Sequence, residues 1–166
     1  MATKSPQIFK TRIDLPENTR NKVNDLLNKT LASTFDLYSQ IKQAHWNVKG
    51  WDFYQLHLLF DEIAEEISEY VDLFAERITA LGGYAAGTVR DAAQNSSLPE
   101  YPHEAFGSVD HLNALADRLA AYAKHVRENI DRAAELGDQS TADIYTEVSR
   151  KVDMRLWFIE AHLQGN

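Results

Sequence analysis

Cysteine is absent from the 166 residues. That excludes a disulfide framework, a thiolate zinc site, an iron–sulfur cluster and a cysteine nucleophile, so any metal must be held by nitrogen and oxygen. Also missing is any apolar run approaching the ~18 residues of a membrane span. The N-terminal stretch MATKSPQIFKTRIDLPENTR has no signal-peptide core, which predicts a cytoplasmic protein with no membrane partner. Glycine and proline are scarce, at 7 and 4, and cluster at a few breaks, leaving long stretches free to be helical. Positive charge is in deficit. Against 25 Asp and Glu stand 17 Lys and Arg, a net charge of −8, so the body of the fold repels phosphate backbones and attracts cations. Nucleic-acid binding would need a local basic segment. A hydrophobic fraction of 44% is enough for a packed core, and the length suits a single domain, 1–166, with a short N-terminal arm over 1–15.

Apolar residues recur every three or four positions in four stretches, the signature of amphipathic helices. The first follows Pro16 and runs to Gly50, with Val23, Leu26, Leu27, Thr30, Thr34, Leu37, Tyr38 and Ile41 on one face. The second runs from about Asp52, a plausible cap, to the Gly82-Gly83 stop, with Leu56, Phe60, Ile63, Ile67, Tyr70, Val71, Phe74, Ile78 and Leu81 as its stripe. The third starts near Ser108 and stops at Gly137; the fourth spans about Ser140 to Leu163. Residues 82–107, with two prolines and several small polar residues, read as a connection rather than a helix. Short first and last connections imply two antiparallel hairpins. A helix of about 29 residues is roughly 43 Å long, a distance that the middle connection can span when partly extended. The expected fold is therefore all-α, a ferritin-like four-helix bundle with one long crossover between the second and third helices.

On a helical wheel with His57 at 0°, Asp61 falls near 40°, Asp72 near 60° and Glu76 near 100°, while the apolar stripe lies between about 240° and 320°. Ala64, Ser68 and Ala75 lie close to the His/Asp face, where small side chains would let another helix approach. His57 with Asp61, and Asp72 with Glu76, are one turn apart, so each pair can converge on one cation. Asp61 and Asp72 are roughly 16 Å apart along the axis, whereas paired metal ions sit within about 4 Å, so the two pairs cannot serve one centre within a single chain. One site from both pairs requires a second, antiparallel chain, and two-fold symmetry then makes two equivalent sites. A solvated polar face would carry the same residues. His45 and Trp46, near the end of the first helix, are open to two readings, ligand neighbourhood or plain packing. The one Glu-x-x-His string, Glu100 to His103, is interrupted by Pro102 and is dismissed as a helical ligand pair.

The runs QAHWNVKG at 43–50, FYQLHLLFDEI at 53–63 and DLFAERITALGG at 72–83 resemble the ferroxidase segment of the Dps family, the mini-ferritins also called DNA-binding proteins from starved cells. The likeness extends to DHLNALADR at 110–118 and TADIYTEVSRKVDMRLWFIEAHLQ at 141–164, and so covers most of the chain. The resemblance implies a ferroxidase centre between two-fold-related subunits, with His45, His57, Asp61, Asp72 and Glu76 as the metal ligands. It also implies assembly into a hollow homo-dodecamer storing ferric mineral. Carboxylate and imidazole suit Fe(II), Mn(II) and Zn(II) alike, and it is the resemblance that selects dinuclear iron, with Zn or Mn able to substitute. The reaction it implies is Fe(II) oxidation, preferably by hydrogen peroxide, in protection against oxidative damage. Trp46 would lie near the centre as an electron donor, or simply pack the contact.

Asp138, Asp143 and Glu147 have the spacing of the family's pore segment, though a helix N-terminus favours acids on its own account. DNA binding, the family's second activity, has thin support here: Lys4, Lys10 and Arg12 make a sparse arm, and HLQGN is not a basic tail. A DNA-compacting protein with a vestigial metal site, nucleoid-associated in the cell, is the alternative, and a helical signalling or adhesion module a third. His103, His111, His125 and His162 receive no role.

Overall fold

The computed structural model describes residues 8–165. Among them every regular element is a helix: α1 (Glu17–Asn47), α2 (Phe53–Ala80), α3 (Val89–Asn95), α4 (Ser108–Glu135) and α5 (Gln139–Leu163). The stops fall where glycine permits them. Gly82 takes φ +81°, which lets its N–H donate to the Thr79 carbonyl and the Gly83 N–H to the Ile78 carbonyl, closing the last turn of α2. Gly137, at φ +86°, repeats the arrangement for α4, and the next residue, Asp138, already caps α5. The α4–α5 turn is correspondingly tight.

The direction of each helix follows from end contacts. The Ser108 hydroxyl, opening α4, donates to the Lys49 carbonyl in the α1–α2 turn at 3.1 Å, while Arg77, near the end of α2, grips Asp138 at the start of α5. Consequently α2 and α4 run parallel, and the crossover travels the length of the bundle. It is not structureless. Where a plain connection is expected, the seven residues of α3 form a helix, opened by a reciprocal cap: Thr88 Oγ1 accepts from the Asp91 N–H and Asp91 Oδ2 from the Thr88 N–H. Two turns are too short for periodicity to announce. The crossover is tied along α1 by polar contacts, with the Ser97 N–H donating to Ser33 Oγ at 3.1 Å and Gln40 Nε2 to the Pro99 carbonyl at 3.0 Å.

The expected apolar faces meet in one core, with Tyr38, Val71, Ile130, Ile144, Leu156 and Leu163 only partly buried at its margin. At its centre lies a polar cluster. Thr34 donates to the Thr30 carbonyl at 2.7 Å and accepts from Tyr122 OH at 2.7 Å; Thr30 Oγ1 accepts from Tyr145 OH at 2.9 Å and contacts His125 and Asn129. Burial pushes both phenols' ionisation up, so they remain O–H donors. No helix among the described residues is long and apolar enough to cross a membrane.

Candidate metal centre

The last four carbonyls of a helix have no partner within it, and His45 supplies one of those of α1. His57 Nδ1 donates to it at 2.9 Å, and His45 Nδ1 donates to the His57 carbonyl at 2.8 Å. Because a carbonyl can only accept, both Nδ1 atoms carry hydrogen, so Nε2 is the nitrogen through which each ring can ligate a metal. The rings stack with centroids 3.8 Å apart. This crossed pair makes two imidazoles rigid and aims their ligating nitrogens, as outer-shell hydrogen bonds do for metal-binding histidines. His45 is thus buried on the apolar side of α1 and at the same time chemically equipped.

Asp61, one turn beyond His57, completes the corner. Its Oδ1 lies 3.8 Å from His45 Nε2 and 2.6 Å from Lys42 Nζ. The Lys42 hydrogen bond holds the Asp61 carboxyl below its ordinary 3.8, against a smaller opposing effect of burial, so the group is an anion at neutral pH. Sequence reading missed Lys42, although the signal was there: it precedes His45 and Trp46 by three and four residues and shares their helix face. Its ammonium also lies 5.8 Å from the centroid of the Trp46 ring, which is largely exposed.

Asp72 and Glu76 occupy the same side of α2 further along, exposed and, among the described residues, in no ion pair. No three His, Asp or Glu side chains among those residues converge tightly enough to hold a metal. Between the two donor pairs, two open depressions adjoin at Ser68 and Glu69 to form a groove, the first lined also by Asp61 and Ala64 and the second by Asp72 and Ala75.

Asp138 departs from the pore reading. It is 2% exposed: Arg77 Nη2 binds both its oxygens at 2.8 and 2.9 Å, and Thr141 donates to it from N and Oγ1 at 3.0 and 2.6 Å. A carboxylate so engaged caps α5 and ties it to α2; Asp143 and Glu147 alone of the three face solvent. Burial raises the Asp138 pKa, but the Thr141 hydrogen bonds and Arg77 together outweigh it and leave the group below its ordinary 3.8. A depressed carboxylate contributes stability above its unfolded pKa and loses it as pH falls through the folded one. Asp138→Asn is therefore expected to cost about 1.5 kcal/mol at pH 7, a difference that shrinks below about pH 4 in urea titrations run across pH.

Three of the four unassigned histidines have structural partners. His111, its pKa lowered by burial, meets Tyr101 OH at 2.6 Å; His125 joins the Thr30 cluster; His162 donates to the Phe158 carbonyl at 2.7 Å. Lys10 and Arg12 are exposed on a segment docked at Gly82 through the Phe9 N–H, while Lys4 lies outside the described residues.

A family model for the ferritin-like domain matches residues 24–165. The DNA protection during starvation protein of Agrobacterium fabrum is 43% identical over 155 residues, covering 93% of this chain and 96% of that one. Among solved structures, DpsC from Streptomyces coelicolor superposes with a TM-score of 0.90 at 32% identity, over 98% of this chain and 95% of that one. Dps of Mycobacterium smegmatis in its tetragonal form gives 0.89 at 30% identity, over 93% and 94%. With likeness in sequence and in backbone both running nearly end to end, the chain belongs to the Dps family of ferritin-like proteins.

Proposed function

We propose that this protein is an iron-sequestering ferroxidase, oxidising Fe(II) with hydrogen peroxide at a dinuclear site between subunits and keeping the ferric product inside a dodecameric cage. The observation that carries this reading is the crossed His45–His57 pair beside an ionised Asp61, half of a nitrogen and oxygen donor set whose other half, Asp72 and Glu76, stands exposed on the same helix. A partner chain running antiparallel across the Ala64/Ser68/Ala75 groove brings the halves together twice. Two Fe(II) then each give one electron to a peroxide, which takes up two protons and leaves as two waters, so no one-electron product escapes. The carboxylates stabilise Fe(III) charge as it develops, and the fixed imidazoles hold geometry.

Large apolar side chains left in water support a multi-chain assembly. Trp51 is 96% exposed, and Phe106 and Val109 line the same end of the bundle. Protection of DNA, the role in the name of the Agrobacterium fabrum relative, needs no contact with DNA if Fe(II) and peroxide are consumed together. The test is a crystal soaked anaerobically in Fe(II), with anomalous scattering. Iron between His45, His57 and Asp61 of one copy and the acid pair of another is the expected result; His57 and Asp61 in solvent, remote from any neighbour, would end the proposal.

Asp143 and Glu147, exposed near the start of α5, are proposed to line a three-fold entry that draws cations inward. Asp143→Asn is expected to slow iron uptake about threefold or more in assembled cages, with anaerobic Fe(II) binding unchanged. Uptake at the wild-type rate would remove the pore assignment.

A further inference from the structure

One of the two Asp61 oxygens is already engaged. The oxygen that faces His45 Nε2 at 3.8 Å is the one that Lys42 holds at 2.6 Å, and both partners are only partly exposed, with side-chain accessibilities of 19% for Lys42 and 39% for Asp61. An ammonium has three donors and no lone pair, so it can neither ligate a metal nor share an oxygen lone pair with one. A divalent ion arriving at His57 and Asp61 therefore meets a like charge already on the carboxylate. Lys42 has a second support besides Asp61: its ammonium already lies 5.8 Å from the centroid of the exposed Trp46 ring, within the range at which an aromatic face attracts a cation.

We propose that Lys42 is a tethered counter-cation that sets the threshold of metal loading. It neutralises Asp61 while Fe(II) is scarce, and it leaves the carboxylate but stays on the Trp46 face when a divalent ion takes the oxygen. The inference rests on the ferroxidase reading above and adds a residue that the donor set does not include. Lys42 touches no substrate in the loaded site; it acts through Asp61.

Anaerobic titration calorimetry of Fe(II) into the assembled protein tests this. Lys42→Met keeps the stem and removes the charge, and binding is expected to tighten about tenfold, the scale of one partly exposed ion pair plus the relieved repulsion. Lys42→Arg retains the cation and stays within about threefold of wild type. In an Asp61→Asn background, Lys42→Met changes nothing, because no carboxylate remains to be held. A merely structural lysine would give weaker binding in Lys42→Met and none of this sign reversal. Unchanged or weakened Fe(II) binding in an intact Lys42→Met cage overturns the assignment and leaves the ferroxidase centre standing. Wild-type protein that binds Fe(II) no better than His57→Ala/Asp61→Ala overturns both.

Discussion

Cages assembled from equal amounts of His57→Ala/Asp61→Ala and Asp72→Asn/Glu76→Gln chains are expected to regain about a quarter of wild-type ferroxidase activity. Each variant alone is expected to lose at least about 100-fold, since disturbing even the outer-shell partners of a metal site costs 10–100-fold. The logic is geometric. In a mixed pair, one site collects both sets of mutations and the other collects none, because each site takes its histidines and Asp61 from one chain and Asp72 and Glu76 from the other. Half of randomly formed pairs are mixed and half of their sites are intact. A centre contained within one chain could not be repaired by mixing, so co-assembled cages as inactive as their parents, with assembly verified by size, would refute the shared site. The continuity of α2 from Phe53 to Ala80 makes the prediction sharp: a straight helix keeps the donor pairs a fixed distance apart, and no rearrangement of one chain can close it.

Thr30→Val is expected to lower the subunit's stability by about 2–3 kcal/mol, although it preserves volume and adds apolar surface in a fully buried position. The reason lies in what the hydroxyl serves. Tyr145 OH, itself fully buried, donates to Thr30 Oγ1, and the Asn129 amide donates to the same oxygen at 3.2 Å. Valine removes the phenol's Thr30 acceptor in the core and leaves it only Asn129, and a buried hydrogen bond left unmade costs the group's desolvation. Tyr145→Phe alone should cost about 1 kcal/mol. The double variant Thr30→Val/Tyr145→Phe should be more stable than Thr30→Val, because the phenol that lost its acceptor is removed with it, while the Asn129 amide keeps His125 Nε2 at 3.1 Å. Urea midpoints at one protein concentration decide it; additive losses would mean that the cluster is loosely packed rather than coupled.

That cluster also marks where reading along the chain loses sight of the fold. Thr30 and Thr34 fit the apolar stripe by position, so their burial was legible, but nothing in the local pattern pairs them with tyrosines about 90 and 115 positions later. Asp138 illustrates the converse. Its spacing from Asp143 and Glu147 suggested a row of exposed acids, yet the tight Gly137 turn rotates it inward under Arg77, 61 positions away. The short helix α3 escaped because two turns carry no usable period, even though its Thr88–Asp91 cap was written in the string.

Rules acting over one or two turns dictate the helices, their glycine stops, the inward faces and the one-turn spacing of His57 with Asp61 and of Asp72 with Glu76. They hold in any surroundings, so they are legible in the sequence alone. Contacts between distant segments obey no such local rule. The crossed imidazoles, the lysine resting on Asp61, the buried Asp138 and the crossover laced to α1 join residues 12 to 64 positions apart, and each exists because helix packing delivered its partners to hydrogen-bonding distance.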